Sequence, residues 1–131
     1  MSDTKTTQSL RNLGAALQRL HEALQETETK SLVIDGTIQR FEFVVELYWK
    51  TLKRLLAAEH IQTNTPKETL QQAYEAKWLS RDEPWLAMLK DRNETSHIYN
   101  EAAAREIYER IKTYYPELQR TFDFLRKRFG S

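Results

Sequence analysis

The stretch Ile34-Asp35-Gly36-Thr37-Ile38-Gln39-Arg40-Phe41-Glu42-Phe43-Val44-Val45-Glu46-Leu47-Tyr48-Trp49-Lys50-Thr51-Leu52 decides the fold. Ile34, Ile38, Phe41, Val45, Tyr48, Leu52 and then Leu55 recur at spacings of three and four. That is the period of an α-helix and not the alternation of a half-buried strand. The pattern predicts one long helix ending near Ala58. Phe43, Val44, Trp49 and Leu56 add apolar residues on its neighbouring faces. A helix apolar on more than one side is central in a bundle or lies in a subunit interface.

Upstream, Leu10, Leu13, Leu17, Leu20 and Leu24 share one face, which predicts a first amphipathic helix over 7–26, interrupted by Thr27–Lys30. Downstream, Thr65-Pro66-Lys67-Glu68 supplies a capping hydroxyl, a proline for the first helical position and a glutamate to close the box. Ser80-Arg81-Asp82-Glu83 repeats the device ahead of Pro84. Helices are therefore expected near 66–78 and 81–95. Asn100 can cap a last helix through Ile107 and Ile111, and Pro116 should kink it or make it restart before Leu118, Phe122 and Leu125. With no strand pattern and no repeat, the expected fold is an all-α, up-and-down bundle of five to six helices.

A chain of 131 residues fits one domain over 1–131, with 1–6 and 129–131 as flexible ends. A hydrophobic fraction of 40% with only 3 Gly and 3 Pro favours long helices over disorder. The formal net charge of +1 gives no global pull toward nucleic acid, so any such contact must come from a local patch. With 0 Cys there are no disulfides and no thiol nucleophile, which fits a reducing cytoplasm. Met1-Ser2-Asp3-Thr4-Lys5 has no apolar signal region and no run is long enough to span a membrane, so a cytoplasmic location is expected.

Most chemical motifs are missing. Gly14, Gly36 and Gly130 are scattered, so there is no phosphate-binding glycine loop. His21, His60 and His97 lack zinc spacing, no paired acids suggest bound Mg²⁺, and there is no nucleophile elbow. No metal or cofactor is expected.

One stretch survives: Asp91-Arg92-Asn93-Glu94-Thr95-Ser96-His97-Ile98-Tyr99 gathers a permanent cation, a group that titrates near neutrality and a phenol. An unbroken helix would turn His97 ~140° from Arg92, whereas a helix ending near Ser96 lets His97 swing back. The bland alternative pairs Arg92 with Glu94 or Asp91 and leaves His97 to cap the helix carbonyls. The aromatic cluster Phe41–Trp49 is read as core, with a base-stacking platform as its alternative. Lys50, Lys53 and Arg54, like Arg126, Lys127 and Arg128, are read as solvated faces.

Arg92-Asn93-Glu94-Thr95-Ser96-His97-Ile98-Tyr99 resembles the R-x4-H-x-Y motif of HEPN domains. The likeness is to the branch of small bacterial nucleotidyltransferase substrate-binding proteins encoded beside a minimal nucleotidyltransferase. Asp35–Phe43 and Trp49–Leu52 are similar to that branch too, so the resemblance spans Leu10 to Leu125. It implies a dimeric bundle whose two motifs face one cleft. It also implies a metal-independent ribonuclease toxin neutralised by the partner nucleotidyltransferase, with an RNA substrate, tRNA among the candidates. On that reading Arg92 and His97 are catalytic, Asn93 supports them, and Tyr99 accepts AMP from the partner. The competing reading is a non-catalytic subunit that binds a nucleotide or substrate for the nucleotidyltransferase. A third is a purely structural dimeric scaffold.

Overall fold

In a computed structural model, residues 4–26, 30–95 and 100–130 are described. They form α1 (Thr4–Leu24), α2 (Ser31–Ala58), α3 (Pro66–Glu75), α4 (Glu83–Glu94) and α5 (Glu101–Phe129), with no strand among them. The helix α2 touches all four others, as its pattern predicts for a central element. It buries Ile34, Ile38, Phe41, Val44, Val45, Tyr48, Leu52, Leu55 and Leu56. Each large side chain so removed from water contributes about 1.5–3 kcal/mol. Two of the four extra apolar residues, Val44 and Leu56, are consumed inside the bundle, whereas Phe43 is 59% exposed. The surplus that suggested an interface therefore shrinks to one side of one helix.

Tyr48 stitches the core. Its hydroxyl donates to the Leu118 carbonyl on α5 at 2.8 Å, and its ring meets Trp85 of α4 edge-on at 4.7 Å. Burial, first, and the Glu117 carboxylate, second, push its pKa well above the usual phenol range, so it stays a donor. Trp85 Nε1 in turn donates to Glu117 at 3.0 Å.

Helix starts follow local chemistry where a side chain is free to cap. Thr65 accepts from the Glu68 amide at 3.1 Å and Asn100 from the Ala103 amide at 2.8 Å, as expected of both. Ser80 does not cap. Its hydroxyl accepts from Arg120 on α5 at 3.0 Å, and α4 begins later, at Glu83, with Asp82 making no side-chain cap. The tertiary bond outcompetes the local one. Two residues past the ends of α2 and α3, His60 and Lys77 both sit at φ 67°, and backbone bonds from Ile61 N to Leu56 O and from Trp78 N to Ala73 O close the last turns. Neither stop carries a glycine; α2 ends at Ala58 as its periodicity predicted, whereas α3 is shorter than predicted.

The helix α5 runs through Pro116 as one element and does not restart. Pro116 and Lys112, whose carbonyl it leaves without an amide, are both exposed residues, and on a solvated face such a loss is cheap. At the crossing of α1 and α5, a Cβ on Gly14 would lie 2.8 Å from Phe122 Cζ; the two helices approach across a missing methyl. Near the ends of the described chain, Thr6 is buried and Phe129 packs edge-on against Trp78 at 5.0 Å. No helix of the described residues is long and apolar enough to cross a membrane.

Candidate functional site

Two neighbouring residues in the last turn of α4 point to different environments, as consecutive helical positions about 100° apart must. Asp91 is buried against α5. It receives Arg110 Nε at 2.8 Å and Nη2 at 3.0 Å, a bidentate fork, and the Tyr114 hydroxyl at 2.6 Å. Charge-assisted bonds of this kind are about twice as strong as neutral ones. Burial, and then the bond to Asp91, raise the Tyr114 pKa, so the phenol remains a donor to the carboxylate. The same carboxylate raises the proton affinity of Arg110. This knot fixes the end of α4 on α5. Thr95 closes it by donating its hydroxyl to the Arg92 carbonyl at 2.7 Å.

Arg92 turns the other way, toward α2. Its Nη2 donates to Glu46 Oε2 at 3.1 Å, and Lys50 Nζ lies 3.4 Å from the other oxygen. The bland expectation that Arg92 pairs with Asp91 or Glu94 is therefore not what the chain does: Asp91 is saturated by α5, and the partner lies 46 residues upstream. Arg92 Nε is buried with no hydrogen-bond partner among the described residues. A buried donor without an acceptor is costly, and a guanidinium has five N–H groups to place.

Beside Arg92 opens a cleft of about 590 Å³ between α1, α2 and α4, lined by Ala16, Arg19, Gln39, Arg40, Glu42, Phe43, Glu46 and Arg92. Arg40 Nη1 donates to the Arg19 carbonyl at 2.9 Å, which pins α2 to α1 along the rim. Three guanidiniums against two carboxylates give the cleft a local positive bias that the whole-chain charge conceals.

Asn93 does not share this cleft; it lines a separate depression of about 360 Å³ with Lys67, Leu86, Leu89, Lys90 and Glu94. His97 and Tyr99 lie outside the described residues. Of the aromatic cluster, Phe41 is core, stacked on Tyr114 at 5.8 Å, and Trp49 is half-buried with Lys53 over its ring. Lys50 pairs with Glu46, Arg126 with Asp123 and Arg128 with Glu59, all on solvated faces. Among the described residues no three His, Cys, Asp or Glu side chains gather as a metal site. Sequence reading missed Arg19, Arg40 and Glu46 as neighbours of Arg92. Arg40, Phe43 and Glu46 recur at spacings of three on α2 and could have been read as one face, but nothing local marks Arg19.

The family described as "Nucleotidyltransferase substrate binding protein like" matches residues 8–127. The chain is 32% identical over 110 residues to the probable ribonuclease HepT of Haemophilus influenzae, covering 80% of this chain and 75% of that protein. Among solved structures it is similar to ttk003001694 from Thermus thermophilus, with a TM-score of 0.81 at 32% identity, over 87% of this chain and 98% of that one. It is also similar to HI0074 from Haemophilus influenzae, described as the fold of a substrate binding domain of a nucleotidyltransferase. There the TM-score is 0.79 at 29% identity, over 89% of this chain and 98% of that one.

Proposed function

The chain belongs to the HEPN-type nucleotidyltransferase substrate-binding family, and on that premise we propose that it is a metal-independent ribonuclease. It acts in the cytoplasm as the toxin of a toxin–antitoxin pair, as a homodimer, with a minimal nucleotidyltransferase as antitoxin. The observation that supports this reading is the placement of Arg92: it lines a cleft biased toward anions, with one N–H on Glu46 and a buried Nε that no described residue satisfies. Such a group suits a phosphodiester, whose oxygens take guanidinium donors in pairs.

In the reaction, the ribose 2′-oxygen attacks the adjacent phosphorus, the P–O5′ bond breaks, and a 2′,3′-cyclic phosphate remains. His97 serves as general base or acid for the 2′-OH proton and the departing 5′-oxygen. Arg92 steadies the charge that gathers on the phosphoryl oxygens. Asn93 supports the RNA from the flank of α4. Tyr99 accepts AMP from the partner; the added phosphodiester then competes with RNA for Arg92. A second reading, a non-catalytic subunit presenting substrate to the nucleotidyltransferase, is favoured by the description given to the HI0074 fold.

Purified protein should cleave RNA in EDTA and leave cyclic-phosphate ends. His97→Ala should lose about 10²–10⁴-fold in rate. Incubation with the nucleotidyltransferase and ATP should add adenylate at Tyr99, and Tyr99→Phe should cleave yet escape silencing. Full cleavage by His97→Ala would overturn the role of His97, and no cleavage by wild type in any RNA pool would leave the binding-subunit reading in place of the ribonuclease.

A further inference from the structure

Phe43 is the one large exposed apolar side chain of the described residues that lines the Arg92 cleft; Leu32, Tyr74 and Phe124 are exposed elsewhere. Phe43 is 59% exposed, whereas its neighbours Phe41, Val44 and Val45 on α2 are buried in the core. It stands one helical turn after Arg40 and one turn before Glu46, and Glu46 holds Arg92 at 3.1 Å. Residues three apart on a helix are neighbours at ~5–6 Å. Phe43 thus shares the cleft lining with Arg40 and Arg19, which are bonded to each other, and with Arg92, which Glu46 holds.

An aromatic face between two phosphate-binding positions is what a stacked nucleotide requires. Base stacking is tolerant of sequence because every base has a π-face, while arginines track the backbone on either side. Gln39, four residues before Phe43, lines the same cleft and carries both a donor and an acceptor for a base edge. A cleft of about 590 Å³ has room for a base and its sugar.

We propose that Phe43 is the stacking platform for one unpaired nucleobase of the RNA, with its flanking phosphates on Arg40 and Arg92. The identity of the ligand as RNA rests on the ribonuclease reading; the platform itself rests on the geometry of α2.

The experiment uses His97→Ala protein, which should hold RNA without cleaving it, and short single-stranded adenosine oligomers carrying one 2-aminopurine. Stacking should quench the 2-aminopurine on binding. Phe43→Leu keeps an apolar, helix-favouring side chain but no π-face. It should abolish the quench and weaken binding about 5- to 100-fold, and Phe43→Tyr should keep both. Adenosine oligomers should bind more tightly than uridine oligomers, and Phe43→Leu should flatten that preference. In cleavage by the otherwise wild-type enzyme, Phe43→Leu should raise KM far more than it lowers kcat.

If wild type cleaves RNA while Phe43→Leu alters neither quench nor KM, the platform is wrong and the ribonuclease stands. If the Phe43-dependent quench persists with RNA but wild type cleaves nothing, the ribonuclease fails and the platform stands. Sedimentation adds a third arm: dissociation of a wild-type dimer by Phe43→Leu would make the ring a subunit contact and overturn the platform.

Discussion

Asp91 and Arg92 are consecutive residues on one helix and live under opposite rules. Asp91 is buried, and Arg110 and Tyr114 give it three bonds, two of them from one rigid fork. Arg92 is partly exposed, shares a carboxylate with Lys50, and keeps a buried Nε that no described residue satisfies. A scaffold residue is finished by its own chain. Arg92 is left incomplete by the described residues, and on the proposed reading an RNA phosphate completes it. The same helical turn therefore carries the strongest polar anchor between α4 and α5 and the residue proposed to meet the phosphate.

The sharpest way to break this contrast is to truncate each residue in turn. Arg92→Ala should lower RNA cleavage about 10²–10³-fold, the usual cost of a donor aimed at developing charge. It should barely alter stability, because Glu46 still has Lys50 and no buried charge is stranded. Asp91→Ala should do the reverse. It leaves the Tyr114 hydroxyl and Arg110 without their acceptor and should cost about 1–3 kcal/mol in urea unfolding. Cleavage should then fall only as far as the end of α4 loosens. Equal stability losses in the two variants would erase the distinction.

Glu46→Gln is a gentler probe. It removes a negative charge from the cleft and leaves Arg92 a neutral acceptor. RNA affinity should rise a few-fold at low salt, with a steeper fall as salt increases. Weaker binding instead would mean that the Glu46 carboxylate aims Arg92 at the phosphate, and that Arg92 is less unfinished than it looks.

Helices were legible because they are local. Five leucines of α1 and seven apolar residues of α2 repeat within one face, and Thr65 and Asn100 cap with atoms three residues away. What escaped was non-local. Ser80 had the sequence of a cap but bonds to Arg120 on another helix. Pro116 signalled a kink or a restart, and on its exposed face α5 continues through it without restarting. At the site, Arg92 could be singled out from its neighbours in sequence. Its partner Glu46 and the cleft wall at Arg19 could not, because only the packing of α1 and α4 on α2 brings them together. The knot of Asp91 with Arg110 and Tyr114 was hidden for the same reason, with the acid and its partners on different helices.

Gly14 has a consequence for anyone wishing to make the protein hardier. Replacing a helical glycine with alanine ordinarily stabilises by about 0.8–1 kcal/mol, since the backbone surrenders less freedom on folding. Gly36, in α2 with nothing within 4 Å of its would-be Cβ, should return that gain as a higher melting temperature. At Gly14 the added carbon would press on the Phe122 ring, which itself sits beneath the Arg126 guanidinium, and the gain should vanish or reverse. One substitution, made twice, should move the melting curve in different directions. Equal upward shifts would show that the gap between α1 and α5 is elastic, a tolerance and not a gauge.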